Sequence, residues 1–316
     1  MGSQRRVDPA DRFIVDTLRA AATGGFVSGA ALATDLGVSR AAVGKRVGLL
    51  RDQGFQIAAV PHRGYRLIEE PDGLSPLVIE GRLASRWLGH DYRFRESVGS
   101  TNEELARLAW RDRISRGSLG PGASDPGGTV SGGGPPEHVA HGTVLVADRQ
   151  EHGRGRLGRV WASPEGKNIY LSALLRPAWS PQDLPPLTLA VAVGVANALE
   201  PFLGWAPVVK WPNDLLAPDG RKICGILAEL SAEFDRLHHI IVGVGLNVNQ
   251  TRFPRALASR ATSLRREAGR VFSRAEVLVA ILETLEPWLD ALLVEGDAGR
   301  DRVLDAWLDL ADSWLG

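Results

Sequence analysis

Hydrophobic positions near the N-terminus recur at helical spacing. Phe13, Ile14, Leu18 and Ala21 mark one face of a helix that breaks at Thr23-Gly24-Gly25. Ser28 is placed to cap a second helix that stops at Gly37, and Ser39 a third, with Val43, Val47 and Leu50 on its inner face. Alternation then takes over. Residues 55–60 and 65–68 read as two strands around Pro61-His62-Arg63-Gly64. Helix, glycine turn, helix and hairpin make a winged helix-turn-helix over residues 1–70. Pro71-Asp72-Gly73 marks its end, and the rest of the chain, 71–316, reads as a second domain.

The second domain mixes both periods. Residues 77–88 read as a helix, 92–97 as a strand, and 103–110 as a helix capped by Ser100-Thr101-Asn102. Strands are predicted at 143–148, 168–175, 208–211, 223–230 and 238–248. Residues 184–203 are apolar nearly all round, which predicts a core helix. Two amphipathic helices, 273–293 and 301–315, follow. The fold class is therefore α+β. Residues 116–136 hold eight glycines and four prolines and almost nothing to bury, so they read as a disordered insert.

Composition narrows the classes. The chain has 316 residues with 37 basic and 37 acidic side chains, so net charge offers no argument for a nucleic-acid partner. Any basic face is local. Residues 1–70 carry ten basic and seven acidic side chains, an excess of three. Ser39, Arg40, Lys45, Arg46 and Arg63 lie on or beside the third helix and the wing, where DNA contacts are expected. A single cysteine, Cys224, excludes an intrachain disulfide framework and fits a reducing cytoplasm. The N-terminus has no signal-peptide core, and the longest apolar run, within 187–199, is short for a membrane span.

Chemistry concentrates at Gly153-Arg154-Gly155-Arg156-Leu157-Gly158-Arg159, followed by Trp161. Glycines allow close backbone approach, and arginine forks suit carboxylate and phosphate. Gly153, Gly155 and Gly158 also fit the dinucleotide pattern G-x-G-x-x-G. That pattern requires a following helix and an acid about 20 residues on. Here a turn and a strand follow, so the dinucleotide reading is rejected. Lys210 is one of only four lysines, and it runs into Trp211-Pro212-Asn213-Asp214. Glycines 243 and 245 within a strand imply a close approach by a ligand or another chain segment.

Taken in order, Ser100-Thr101-Asn102, the Gly/Arg loop, Lys210 to Asp214, Gly225-Ile226-Leu227 and Gly243 to Asn247 resemble the biotin–protein ligases. Residues 40–50 and 61–65 resemble the DNA-binding unit of the bifunctional type, the biotin operon repressors. The resemblance implies a mixed-sheet catalytic domain of the class II synthetase-like biotin/lipoate ligase type. It implies biotin and ATP as substrates with Mg²⁺, a biotin carboxyl carrier domain as acceptor, operator DNA, and a homodimer when the adenylate is bound. Carried over residue by residue, Ser100, Thr101, Asn102, Gln150, Arg154, Gly155, Arg156 and Lys210 hold biotin. Arg154, Arg156, Arg159, Trp161, Lys210 and Asn247 meet ATP, and Lys210, Arg154 and Arg156 serve the chemistry. Asp214 either helps place Mg²⁺ or caps the following turn. Family members normally continue into a small C-terminal β-barrel, and here the sequence stops near where that domain begins. Two alternatives remain: a biotin-responsive DNA-binding regulator without efficient ligase activity, and a lipoate or octanoate ligase.

Overall fold

The computed structural model describes residues 7–21, 25–117, 138–179, 185–233 and 236–315. The chain divides into two compact units, Ser3–Arg82 and Leu83–Gly316. The Gly/Pro-rich insert lies outside the described residues except at its start, Arg116 and Gly117.

Capping chemistry sets the helices of the first unit. Asp8 accepts from Ala10 N at the start of α1 (Pro9–Ala20), Ser28 from Ala30 N at α2 (Gly29–Leu36), and Ser39 from Ala42 N at α3 (Arg40–Asp52). Gly37 ends α2 in the left-handed region that glycine reaches without strain. Ile14, Val15, Leu18, Leu32, Val43, Val47 and Leu50 are buried as the core. The hairpin β1 (Gln56–Val60) and β2 (Gly64–Glu69) is antiparallel, and Val27 bridges to Tyr65 to extend it. At Gly64 any Cβ would strike the Val27 backbone. The fold is the winged helix expected.

Two boundaries differ from the sequence reading. The helix expected over 77–88 is one turn, α4 (Pro76–Ile79), followed by turns. The compact unit also runs to Arg82 rather than ending at 70. Glu70 explains this. It accepts from Arg19 Nε and NH2 at 3.0 and 2.8 Å and lies 3.0 Å from Arg82 NH2, tying the segment back onto α1. Burial alone would raise the Glu70 carboxyl, but the Arg19 hydrogen bond and charge outweigh it and lower it.

The second unit is built on a seven-stranded mixed sheet. Its strands are β3 (Tyr92–Val98), β4 (Val144–Gln150), β5 (Ile169–Leu175), β6 (Val208–Lys210), β7 (Asp214–Leu216), β8 (Lys222–Glu233) and β9 (Arg236–Leu246). Their order is β3-β4-β5-β9-β8-β7-β6. Only β3 and β4 run parallel, joined through helix α5 (Thr101–Ser115); the other neighbours are antiparallel. Strand β7 was not anticipated. It is three residues long, too short for a periodicity to register.

All seven residues of β5 are buried, so the sheet is covered on both faces there. Leu105, Leu108 and Ala109 of α5 pack with Leu145, Leu174 and Ile241. Helices α6 (Pro185–Leu203), α8 (Arg274–Val294) and α9 (Gly296–Leu315) pack on one another, with the short α7 (Leu264–Ala268) against α6. Helix α6 has the length and hydropathy of a membrane span, but ten of its residues are buried in this packing. Glu286 of α8 accepts from the backbone N–H groups of Arg86, Trp87 and Leu88 at 2.8–2.9 Å. Burial works against its charge, yet these bonds hold its carboxyl below the ordinary value.

Candidate functional site

The sheet places the second unit's singled-out residues around one cavity of about 400 Å³. Ser100, Thr101 and Asn102 reach it from the start of α5, and Gln150 from the end of β4. Arg154, Gly155, Arg156, Arg159 and Trp161 line it from the Gly/Arg loop, Lys210 and Asp214 from β6 and β7, and Asn247 from just after β9.

One end is a polar cradle. Ser100 occupies the N-cap position of α5, but its side chain caps nothing. The sequence alone reads it as an ordinary cap; in the fold its buried hydroxyl belongs to the cavity. Gln150 Oε1 accepts from Thr101 N at 2.9 Å and Thr101 Oγ1 at 3.2 Å, while its Nε2 donates to Ser163 Oγ at 2.9 Å. Asn102 Nδ2 donates to Glu229 Oε2 at 2.8 Å and Leu227 O at 3.3 Å. Ser172 Oγ lies 2.6 Å from Asn102 Oδ1 and 2.8 Å from Thr101 Oγ1. Gly243 is required beneath Asn102, because a Cβ there would collide with Oδ1.

The Gly/Arg loop folds back on itself. Gly155 N donates to Arg159 O at 2.7 Å and Trp161 N to Gly153 O at 2.8 Å, closing a tight hairpin. Leu157 and Gly158 turn through positive φ, and residues 156–158 form one 3₁₀ turn, not the helix a dinucleotide site needs. Gly153 is buried, with no room for a Cβ beside Trp161 O. Arg156 and Arg159 are exposed, and Leu157 at the tip is 90% exposed. Arg154 is engaged by two carboxylates, Glu103 at 3.0 Å and Glu229 at 3.2 Å.

The other end suits a nucleotide. The Trp161 indole lies across Gly225 and Gly245, which face one another on β8 and β9. The close approach read from Gly243 and Gly245 is therefore by side chains, Asn102 over 243 and Trp161 over 245, and Trp161 covers Gly225 as well. Lys222 Nζ stands 5.1 Å from the indole centroid and 2.6 Å from Asp214 Oδ1. Asp214, marked in the sequence for Mg²⁺ or a turn cap, is thus an ion-pair partner of lysine. No three His, Cys, Asp or Glu side chains gather as a metal site among the described residues. Lys210 is exposed at the end of β6, opposite Asp214 in the β6–β7 pairing. Asn213 fastens this turn by donating to Ile226 O at 2.8 Å. Asn247 is buried, donating to Thr262 O at 3.0 Å, with Asn168 Nδ2 3.5 Å from its Oδ1. It shapes the wall with an amide already engaged.

Arg154, Arg156, Arg159, Lys210, Lys222 and Arg260 line this space, with Asp214 as the acidic side chain among its lining residues. Such a cavity stabilises a polyanion and charge developing on phosphate oxygens. Lys222, Glu229 and Ser172 escaped the sequence reading. Ser172 had left one signal, a hydroxyl within the apolar run Ile169–Leu175.

The DNA candidates separate in the first unit. Arg40 and Lys45 are exposed on α3, whereas the Ser39 hydroxyl is spent capping it. Arg46 lies 2.9 Å from Asp8 and 2.8 Å from Asp11, so it ties α3 to α1. The Arg63 guanidinium sits 4.3 Å from the centre of the Phe26 ring.

Comparison with known proteins agrees with both units. Residues 134–247 match the Biotin/lipoate A/B protein ligase family, and residues 14–66 match an HTH domain. The chain is 38% identical over 263 residues to the bifunctional ligase/repressor BirA of Bacillus spizizenii, covering 83% of this chain and 73% of that protein. It is 31% identical over 275 residues to the Escherichia coli BirA, covering 87% and 76%. The biotin protein ligase of Aquifex aeolicus, solved with biotin and ATP, superposes with a TM-score of 0.54 at 30% identity, covering 70% of this chain and 78% of that one. This chain belongs to the biotin protein ligase family, in the branch that carries an N-terminal helix-turn-helix unit.

Proposed function

We propose that the protein is an ATP-dependent biotin–protein ligase that is also a biotin-responsive transcriptional repressor. The convergence of six basic side chains and a polar cradle on one cavity carries this reading. A biotin carboxylate oxygen attacks the α-phosphorus of ATP, the bond to the β-phosphate oxygen breaks, and pyrophosphate leaves. The amine of a carrier-domain lysine then attacks the acyl carbon of biotinyl-5′-AMP, and AMP leaves as the amide forms. Arg154, Arg156 and Lys210 hold the carboxylate and α-phosphate and stabilise charge on the oxygens between them. Arg159 reaches the outer phosphates. Trp161, lying across two glycines, offers its indole to the adenine. Mg²⁺ enters as the companion of the triphosphate, since Asp214, the carboxylate among the described residues lining the cavity, is held by Lys222.

The matched family includes lipoate enzymes. The cradle favours biotin. Asn102 and Gln150 are oriented by bonds within the cradle, and the hydrogen-bonding capacity each amide keeps is one that a ureido group can answer and a dithiolane cannot. The winged helix carries the DNA role, with Arg40 and Lys45 as phosphate contacts. Occupancy is governed by a homodimer that the adenylate promotes. The buried thiol of Cys224 suits a cytoplasmic location. Incubating the purified chain with Mg²⁺, ATP and either biotin or lipoate tests the reading. Pyrophosphate release and an acyl-adenylate mass are expected with biotin alone. Release with lipoate alone, or with neither, overturns it.

A further inference from the structure

Asn102 and Arg154 come from separate parts of the chain, one at the start of α5 and one in the Gly/Arg loop. A single carboxylate meets both. Glu229 of β8 turns Oε2 to Asn102 Nδ2 at 2.8 Å and Oε1 to Arg154 NH2 at 3.2 Å. We propose that Glu229 is a positioning residue that orients the Asn102 amide and restrains Arg154, so that filling the cradle and releasing the loop are linked through one side chain. This rests on the biotin ligase reading for the identity of the cradle's ligand.

The amide orientation follows from acceptor chemistry. An ionised carboxylate only accepts, and so does the Leu227 carbonyl. The Asn102 group that faces both must be the NH2. Its Oδ1 then turns the other way, toward Ser172 Oγ and over Gly243. One lone pair of Oδ1 remains for a ligand N–H. Were residue 229 a glutamine, its own NH2 could face Asn102, and only the longer contact to the Leu227 carbonyl would still select that orientation.

The restraint on Arg154 follows from charge. Its guanidinium lies between Glu229 and Glu103, which is 3.0 Å away on the first turn of α5. Arg154, one of three arginines in the loop, is drawn onto two carboxylates. These pairs are partly exposed, so they contribute little to global stability. Their effect is on where Arg154 rests before an anion arrives. A carboxylate or phosphate in the cavity competes with Glu103 and Glu229 for the same fork. Glu103 has no hydrogen bond to Asn102, so only Glu229 can pass this competition to the cradle.

The two links separate in E229Q and E103Q. Trypsin must take an arginine side chain into its own pocket, so a guanidinium held by carboxylates is cut slowly. In ligand-free protein, both variants should raise cleavage after Arg154 at least about fivefold relative to cleavage after the exposed Arg156, read by peptide mass. In pyrophosphate release, E229Q should raise KM for biotin about tenfold and leave KM for ATP within about twofold. E103Q should leave both within about twofold. Circular dichroism melting points near wild type confirm that the variants fold. An unchanged cleavage ratio in E229Q overturns the restraint of Arg154. An unchanged biotin KM in E229Q, or an equal rise in E103Q, overturns the link to Asn102. If the wild type turns over no biotin, the ligase reading fails and the linked proposal with it, while the protease ratio still decides the Arg154 contact.

Discussion

The Trp161 indole lies directly over Gly245, so that a Cβ on that glycine would stand 2.7 Å from Nε1. Gly225, its cross-strand partner, also lies under the indole, with Cζ3 3.0 Å from where its Cβ would stand. Gly245→Ala should lift the indole and misplace the nucleotide. The expected result is a KM for ATP raised roughly tenfold with KM for biotin nearly unchanged, and a stability loss of about 1–3 kcal/mol from overpacking. Steady-state kinetics and denaturant melts measure both; an unchanged KM for ATP would separate Trp161 from nucleotide binding.

Lys210→Ala should reduce adenylate formation at least about a hundredfold, the usual scale for losing one preorganised charge donor at a reacting oxygen. The side chain is exposed, so the fold should survive. Single-turnover pyrophosphate release is the measurement, and a rate near wild type would remove Lys210 from the chemistry.

His239 sets a pH window. Burial, then the charges of Arg176, Arg113 and His238, press its pKa from 6.5 down to about 4. The unfolded chain takes up a proton in that interval while the folded chain resists. This contribution to stability is therefore full above pH 6.5 and is lost as pH falls toward 4, with a ceiling of about 3 kcal/mol. Urea melts at pH 7 and pH 5 should show the decline, and His239→Phe should flatten it. An equally steep decline in that variant would assign the effect elsewhere.

The winged helix gives a test that needs no operator. Arg40→Ala and Lys45→Ala should each lower the salt dependence of binding to non-specific duplex DNA by about one unit of slope. Arg46→Ala should leave the slope nearly unchanged and lower the melting point, because Asp8 and Asp11 already hold that guanidinium. A slope change at Arg46 matching that at Arg40 would show that the ion pairs open on DNA.

Local chemistry made the winged helix legible. Ser28 and Ser39 cap and Gly37 stops through contacts within a few residues of each. The Gly/Arg loop and Lys210 could also be singled out, because glycine and cation spacing is written along the chain. What stayed hidden depends on distant partners. Ser100 looks like a cap until the fold shows its hydroxyl unused in that role. Asn247 looks available until Thr262 and Asn168 are seen to engage it. Glu229 is an unremarkable strand residue until β8 brings it between a helix start and a loop arginine. Residues 77–88 have apolar positions that suit a helix, yet most of that segment turns.

Helix α5 has 15 residues, so its two ends stand about 22 Å apart. Thr101 is at the cavity end. At the other, Asp112 lies 2.9 Å from Arg116 Nε and 3.3 Å from His138 Nδ1, with Arg176 NH2 at 3.5 Å. One carboxylate thus staples both sides of the 118–137 connection far from the chemistry. A change of charge at Asp112 therefore acts on both anchors at the end of α5 that lies away from the cavity.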